Sequence, residues 1–577
     1  MWERVERYEM KYLARRAGTT EPGQPPDPSR PIGTDLLPQI EHIVVLMMEN
    51  HSYDNYLGML RGRGEAFPLG PDGEPEVVNP GSGGESVRAH HLPSTVQHPQ
   101  APSQSWHASH LQWRHGTCKG FVASTQAVEP DADAAVGMGY WTEDDIPFYY
   151  GLARTFPLAD HWFSSCLGPT FPNRRFLIAG TAHGLIDDHP FDLLDYPPAG
   201  TIFDVLTRSG ISWVNYHSVP EDKPMARRYA HHTRRMVRRR LQRMGRSLRV
   251  VTEGVQKDLQ FTANVYPLGI ARYMLHVRGN DQFFSDADSG RLPAFSIVDP
   301  DFDVYSEENP QDIRKGESFA AEVINSVMRG KGWPHTLLIW VYDEHGGYHD
   351  HVSPPAAVPP DDVEGRSLVG NPTRLQRLLR PVFPGVVHNA ENEVQGSHRY
   401  DRYGFRVPAV IVSPYARPDH VCSEVLDHTS VLKLLEEKWN LPALTARDAA
   451  AVSPLGALDL TGPPAFLEPP SLPEPTLKWG SWLCGEASHS LSGWWPSAGS
   501  RLPAWHHRAA RDRPVRPSAR GVSCAGACKR SAPRPPPQAA PRRLSPPRCR
   551  PDARQRPGGT RRPRPLLPTG FRPWRCR

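Results

Sequence analysis

Long uninterrupted apolar runs alternate along the chain with segments whose apolar residues recur at helical spacing. The runs lie at residues 43–48 (IVVLMM), 337–342 (LLIWVY) and 407–412 (VPAVIV). Such runs are typical of strands that are covered on both faces of a sheet. Helical spacing is found at 146–156 and 430–441. Strands separated by helices over this length predict an α/β fold with a mainly parallel sheet flanked by helices.

The first two apolar runs both end abruptly in polar residues. Glu49 and Asn50 follow the first run, and Asp343 and Glu344 follow the second. Ligands gather outside the carboxyl ends of parallel strands, so we expect the two pairs to form one site. Carboxylate and amide oxygens suit hard divalent cations, which predicts a metal site without identifying the metal. The alternative for Asn50 is a helix cap, and the alternative for each pair alone is a loop turn.

The segment GPTFPNR, residues 168–174, offers a nucleophile. Thr170 lies close to two prolines, which fix the backbone around it. An activated hydroxyl can attack phosphorus and form a covalent phosphoenzyme. The alternative role for Thr170 is to bind the metal beside an attacking water. Arg174 can bind a phosphate through its planar guanidinium, and Asn173 can add a donor. The alternative interpretation is a rigid turn that precedes a helix.

Four histidines complete the candidate site: His110, His345, His351 and His428. A neutral imidazole can bind a metal, and a protonated one can contact phosphate or protonate a leaving alkoxide. We expect His351 or His110 to be the acid. The remaining candidates for phosphate or substrate contact are His345 and His428, together with Asn173. Each histidine taken alone is better explained by a structural role, which for His428 is capping of the following helix.

Five motifs occur in the order seen in one known family: MENHSYDNYLG (48–58), LGPTFPNR (167–174), YDEHGGYHDHV (342–352), GFRVPAVIVSPYA (404–416) and LDHTSVLKLLEEKWNLPALTARDAA (426–450). Over about residues 39–450 the chain resembles the phosphoesterase family of bacterial non-haemolytic phospholipases C and related acid phosphatases. The combination of motifs is specific, whereas no single motif is.

The resemblance implies an alkaline-phosphatase-like α/β fold with insertions, and hydrolysis of phosphate esters. It matches Thr170 to the family's nucleophile position. The positions that match the family's metal site are Glu49, Asn50, Asp343 and Glu344.

The chain departs from the family pattern at three places. The family usually has Arg where His51 stands, and often His where Gln104 stands. It usually has an HPP motif where this chain has Glu308 and Asn309. These departures bear on leaving-group protonation and substrate choice more than on metal binding.

The site and the resemblance together predict a metal-dependent hydrolase of phosphate esters, namely a phospholipase C-type phosphodiesterase acting on phospholipid. An acid phosphatase acting on phosphomonoesters is the alternative within the same class. A catalytically silent binding protein is the alternative from another class. The expected partners are a divalent metal ion and a phospholipid or small phosphate ester, with no specific nucleic acid.

The segment 225–251 is dense in arginine and lies in an expected insertion at about 218–292. The simpler interpretation is a solvated helix. The alternative is peripheral contact with an anionic membrane surface or with a phosphate-bearing substrate.

Charge is distributed unevenly between the two ends of the chain. Residues 501–577 hold 21 Lys/Arg and 2 Asp/Glu, whereas residues 1–500 hold 46 and 60. The overall positive charge is therefore no sign that the folded part binds nucleic acid.

Composition also predicts the domain boundaries. Residues 1–38 are expected to form an N-terminal helix and a Pro-rich linker, and residues 39–465 the catalytic domain. Residues 466–577 are expected to be a disordered, basic Pro/Arg-rich tail, because such a segment buries too little apolar surface to offset its chain entropy. We hypothesise that a frameshift produced this tail, and the alternative is a basic nucleic-acid-binding arm.

The first 20 residues lack the apolar core of a signal peptide, and no apolar run approaches the roughly 20 residues of a membrane helix. A cytoplasmic location is the expectation from these features. The family resemblance implies secretion or the cell envelope as the alternative.

Overall fold

The computed structural model describes residues 22–99, 102–130, 132–188, 196–218, 262–266, 273–365 and 399–480. The predicted N-terminal helix, the Arg-rich segment and the chain beyond residue 480 lie outside the described residues. Predictions about these three segments therefore stay predictions.

The described residues form ten strands and ten α-helices. The strands are His42–Met48 (β1), Val78–Pro80 (β2), Ser86–Arg88 (β3), His90–His91 (β4), Gly139–Tyr140 (β5), Trp213–His217 (β6), Val277–Gly279 (β7), Phe295–Val298 (β8), Thr336–Tyr342 (β9) and Ala409–Val412 (β10). The helices are Tyr53–Leu57 (α1), Trp106–Trp113 (α2), Phe121–Val128 (α3), Pro147–Thr155 (α4), Thr170–Ala179 (α5), Ile202–Arg208 (α6), Asn280–Ser289 (α7), Ile313–Arg329 (α8), Thr429–Trp439 (α9) and Ala446–Ala450 (α10).

Six strands form the central sheet in the order β10-β9-β1-β8-β6-β7. The five strands from β9 to β7 are parallel, and β10 is antiparallel to β9. In the middle of the sheet Val45 of β1 lies opposite Ile339 of β9 and Ile297 of β8. The predicted α/β fold with a mainly parallel sheet is confirmed.

The apolar runs are buried as their composition predicts. Residues 43–48 of β1 are completely buried, and so are the central residues of β9 and β10. Helix α8 packs against β1, and α9 packs against α5. The core therefore lies between the sheet and its helices, and the polar residues that follow the strands are left at one edge.

Two segments without helix or strand are attached to this core. In the linker, Gly33 N donates to Trp439 O at 2.9 Å, and Leu36 N donates to Lys438 O at 2.6 Å. Near the other end, Trp333 Nε1 donates to Phe466 O at 2.9 Å. The described residues 466–480 thus lie on the core, and the predicted disordered tail beyond them is not described.

In the described parts of the chain, no helix combines the length and apolar character needed to cross a membrane.

Candidate active site

The carboxyl ends of β1, β9 and β8, which are neighbours in the sheet, deliver polar side chains to one place. Glu49 and Asn50 follow β1, and Asp343 and Glu344 follow β9. Asn50 N donates to Asp343 Oδ1 at 3.2 Å across 293 residues of sequence. The structure thus brings the four predicted metal ligands together.

Asp299 follows β8 and joins the same site, although the sequence did not single it out. It is completely buried and accepts hydrogen bonds from Thr262 N at 2.8 Å and Asn215 Nδ2 at 2.9 Å. The signal was present in the sequence, because SIVD at 296–299 is a short apolar strand that ends in an acid. Its brevity, four residues in the structure, made it less conspicuous than the two longer runs.

Two residues with positive φ hold the segments after β1 and β9 close together. Asn50 has a φ of 68°, and Gly346 has a φ of 64°. A Cβ atom on Gly346 would lie 1.9 Å from Asn50 O, so only glycine allows this approach. Gly346 N also donates to Glu344 Oε2 at 2.9 Å. The DEHGG sequence is therefore a structural requirement for the alignment of the four residues.

Arg174 lies at the centre of the carboxylates. Its Nε donates to Asp343 Oδ2 at 3.0 Å, and its Nη1 donates to Asp299 Oδ1 at 2.9 Å. Its Nη2 lies 3.8 Å from Glu49 Oε1. The predicted phosphate-binding guanidinium is thus engaged with three buried acids.

Thr170 is the first residue of α5 and is buried beside Asn50. Its Oγ1 lies 3.2 Å from Asn50 Oδ1. Asn173, one turn along the helix, fixes the preceding loop: its Nδ2 donates to Gly168 O at 2.8 Å and its Oδ1 accepts from Cys166 N at 3.0 Å. The amide of Asn173 therefore positions Thr170 through the backbone.

The acids at the strand ends carry more negative charge than one arginine neutralises. Burial, together with the charge of Glu308, raises the pKa of Glu49 well above its usual range. Burial and the charge of Asp343 do the same to the pKa of Glu344. Because ionisation is unfavourable here without a further cation, the donor set is electrostatically matched to a divalent metal ion.

The side-chain amide of Asn50 faces the carboxylates of the proposed metal site. One terminal atom of this amide lies 2.8 Å from Glu344 Oε1 and 3.1 Å from Asp343 Oδ1. These distances are those of an amide nitrogen that donates to both carboxylates; rotated by 180°, the amide would present its oxygen to a divalent ion held by the same acids. The residues present therefore fit a divalent ion.

A second group of side chains also has metal-ligand spacing. Atoms of Asp54, Asp350 and His351 lie within 4.8 Å of one another. Arg406, which is completely buried, donates to Asp54 Oδ1 at 3.0 Å and to Asp350 Oδ1 at 3.0 Å. Because Arg406 bonds both carboxylates and His351 Nδ1 contacts Asp54, the group forms a buried ion-pair network in the described structure.

His351 belongs to that network. Its Nδ1 lies 2.7 Å from Asp54 Oδ2. Burial disfavours protonation of the ring, but the Asp54 carboxylate outweighs it and raises the pKa of His351. His110 instead contacts Trp106: its Nδ1 lies 2.7 Å from Trp106 O, and the centroids of the two tilted rings are 4.7 Å apart.

His345 and His428 support the acids directly. His345 Nδ1 lies 3.1 Å from Glu344 Oε2, and burial lowers the pKa of His345 to about 3. His428 Nε2 lies 2.7 Å from Asp343 O, and burial also lowers the pKa of His428. Both rings are therefore neutral at neutral pH. His428 occupies the N-cap position of α9 without a side-chain capping hydrogen bond, so it is not the side-chain cap considered as its alternative.

His51, where the family usually has Arg, is buried among aromatic rings. Its ring stacks on Tyr56 at 4.4 Å, and its Nε2 lies 2.9 Å from Glu307 O. Burial lowers the pKa of His51 to about 4, so the ring is neutral. His51 thereby ties the end of β1 to the loop that carries Glu308.

Glu307 was also not foreseen from the sequence. This buried carboxylate accepts from Tyr56 Oη at 2.8 Å and from Tyr149 Oη at 2.7 Å, and also from Tyr342 Oη. Burial raises the pKa of Glu307 to about 8. No local sequence pattern predicts such a cluster, because its four members come from four separate segments of the chain.

Comparison with known proteins agrees with this architecture. The Phosphoesterase family matches residues 40–442. "Phospholipase C B" of Mycobacterium tuberculosis is 28% identical over 471 residues, covering 76% of this chain and 80% of that protein. "Non-hemolytic phospholipase C" of Pseudomonas aeruginosa is 30% identical over 433 residues, covering 70% of this chain and 54% of that protein. "Non-specific phospholipase C6" of Arabidopsis thaliana is 26% identical over 438 residues, covering 72% of this chain and 71% of that protein. The chain therefore belongs to the phosphoesterase family and is a phosphoric ester hydrolase.

Proposed function

We propose that this protein is a metal-dependent phosphodiesterase of the phospholipase C type that acts on phospholipid. The observation that carries the proposal is the placement of Thr170 Oγ1 3.2 Å from Asn50 Oδ1, at the edge of a buried group of acids. A hydroxyl at the start of a helix and beside a cation site has the surroundings that nucleophilic attack on phosphorus requires. The names of the similar proteins support phospholipid as the substrate.

We assign the metal to Glu49, Asn50, Asp343 and Glu344. The alternative group around Asp54 is less suitable, because Arg406 already occupies both of its carboxylates. The bound ion would draw negative charge from the phosphate oxygens and from the Thr170 hydroxyl.

The other catalytic and positioning roles belong to residues of the chain itself. Thr170 Oγ1 loses its proton and forms a bond to phosphorus while the bond from phosphorus to the leaving alkoxide breaks, and His351 or His110 supplies the proton that the alkoxide takes up. Water then attacks phosphorus and breaks its bond to Thr170, which releases the phosphate product and restores the hydroxyl.

Arg174 holds Glu49, Asp299 and Asp343 in place, so its role in this proposal is to position the acids. At the start of α5, where Pro172 has no N–H, the N–H groups of Thr170 and Phe171 are the backbone donors that can stabilise the phosphoryl oxygens.

Action on a phospholipid requires peripheral contact with a membrane surface. The smaller esters used in assays do not need this contact. Comparing vesicles with soluble substrates therefore separates surface binding from chemistry.

The test measures turnover of phosphatidylcholine vesicles, p-nitrophenyl phosphorylcholine and p-nitrophenyl phosphate, with chelator and after readdition of single divalent ions. We expect diester hydrolysis that chelation abolishes and a metal ion restores. Preferential monoester hydrolysis would instead favour the acid phosphatase, and binding without turnover would favour the silent binding protein.

Two variants test the assigned residues. Thr170→Ala and Asp343→Asn should each abolish activity in a protein that still folds. Thr461→Ala, which changes an exposed threonine, is the matched control and should retain full activity. An active Thr170→Ala enzyme would refute the covalent role.

A further inference from the structure

The carboxylate of Asp188 is bonded to the start of the helix that carries Thr170. Asp188 Oδ1 accepts a hydrogen bond from Phe171 N at 3.0 Å. Phe171 directly follows Thr170 in α5, a helix of ten residues. The first N–H groups of a helix have no partner within the helix and bind anions, including phosphate. Asp188 therefore occupies one of the donors that would face a phosphoryl group on Thr170.

Other acids surround Asp188. The charges of Glu308, Asp343 and Asp187 all act on it, and Asp188 in turn acts on Glu344. Burial and these carboxylates raise the pKa of Asp188 to about 7, against the opposing effect of the Phe171 hydrogen bond. Unlike the completely buried Asp343 and Glu344, Asp188 is only partly buried. It lies where an incoming phosphate ester would meet a negative charge.

We propose that Asp188 is a specificity-determining residue, whose negative charge at the start of α5 favours phosphodiesters over phosphomonoesters. This inference rests on the proposed phosphodiesterase function and specifies its substrate class. A phosphodiester carries one negative charge at its phosphate, whereas a monoester carries close to two above its second pKa of about 6. The second charge is repelled by Asp188 and competes with it for the N–H of Phe171.

The size of the effect follows from Coulomb's law. At an effective dielectric constant of about 20 and a separation of roughly 6 Å, one extra unit charge changes a binding constant on the order of 100-fold. Salt and solvent screen the charge of a partly buried group and reduce this electrostatic effect. We therefore expect Asp188 to favour the diester over the monoester by about tenfold.

The experiment compares p-nitrophenyl phosphate with methyl p-nitrophenyl phosphate, which have the same leaving group and differ by one methyl ester. The metal-loaded full chain is assayed at pH 8. The quantity measured is the ratio of kcat/KM for the monoester to kcat/KM for the diester. In Asp188→Asn this ratio should rise about tenfold, because the carboxylate that repels the second charge of the monoester is gone. Because both proteins see the same substrate ionisation, the difference between them isolates Asp188.

Two further variants serve as controls. Asp188→Glu keeps the charge and should keep the diester preference. Asp187→Asn removes an equal charge one residue earlier but leaves the carboxylate at Phe171, so the ratio should change by a smaller factor.

The outcomes separate the inference from the proposed function. An unchanged ratio in Asp188→Asn, with diester hydrolysis intact, overturns the role of Asp188. Absence of diester hydrolysis in the unchanged protein overturns the proposed function instead. If Asp188→Asn does not fold, Asp188→Ser is assayed in its place, and an unchanged ratio there is equally decisive.

Discussion

Replacing Arg174 by Met tests whether this arginine holds the acids of the site in place. Its side chain is 1% exposed, and the side chains of Asp299 and Asp343 are 0% exposed. Methionine retains part of the packing against Phe302, whose ring lies 5.0 Å from the guanidinium carbon. The substitution therefore mainly removes the charge and its hydrogen bonds.

The expected loss of stability can be worked out from these contacts. Removing one partner of a buried ion pair costs about 3–5 kcal/mol, because the remaining charge is left buried without compensation. Arg174 serves two such carboxylates at 2.9 and 3.0 Å and a third at 3.8 Å. We expect Arg174→Met to lower the free energy of unfolding by about 3–5 kcal/mol.

The assay is urea unfolding followed by tryptophan fluorescence, with chelator present so that bound metal does not contribute. The matched control is Arg88→Met, because Arg88 pairs with Asp72 at 2.8 Å but the two side chains are 42% and 52% exposed. Its loss should be far smaller, because solvent screens an exposed ion pair. Equal losses in the two variants would refute the argument from burial.

A double-mutant cycle that combines Arg174→Met with Asp299→Asn measures the interaction energy between Arg174 and Asp299. The double variant should be about 1.5–3 kcal/mol more stable than the sum of the single losses predicts, since neither partner is then left unpaired. Strict additivity would mean that Arg174 stabilises the fold through contacts other than the one with Asp299, such as its ion pair with Asp343.

The remaining predictions concern pH dependence and backbone geometry. Because the pKa of Glu307 is raised from 4.5 to about 8, its stabilising contribution is complete below pH 4.5 and is lost as the pH rises through 8. The melting temperature of Glu307→Gln should therefore fall less between pH 5 and pH 8.5 than that of the unchanged protein. An equal fall in both proteins would contradict this prediction. Gly346→Ala should leave the fold intact but lower kcat at least about tenfold, because a positive φ and a Cβ 1.9 Å from Asn50 O force the ends of β1 and β9 apart. Gly210→Ala is its control, since that glycine has a φ of 70° but nothing within 4 Å of its Cβ position; equal kcat values in both variants would show that the close approach is unimportant.

The sequence by itself predicted three of the six strands in the central sheet and the polar residues that follow two of them. Runs such as residues 43–48 are apolar throughout because both faces of a central strand are covered, and this property is local. The abrupt change to Glu49 and Asn50, and the same change at Asp343, marked the edge where the site lies. The nucleophile candidate Thr170 was equally visible, because its prolines and its position before a helix are local features.

Only the tertiary structure decided which side chains meet. Arg174 and Asp299 are 125 residues apart, and their contact depends on β8 lying next to β1 in the sheet. The sequence offered Arg174 as a phosphate ligand. In the folded chain, this order of strands places it beside three acids instead. No local sequence pattern pointed to Asp188 either, because its proposed role depends on its hydrogen bond to the start of α5. Local patterns report burial and turns, whereas the charge around a group depends on neighbours that the chain brings together only when the sheet has formed.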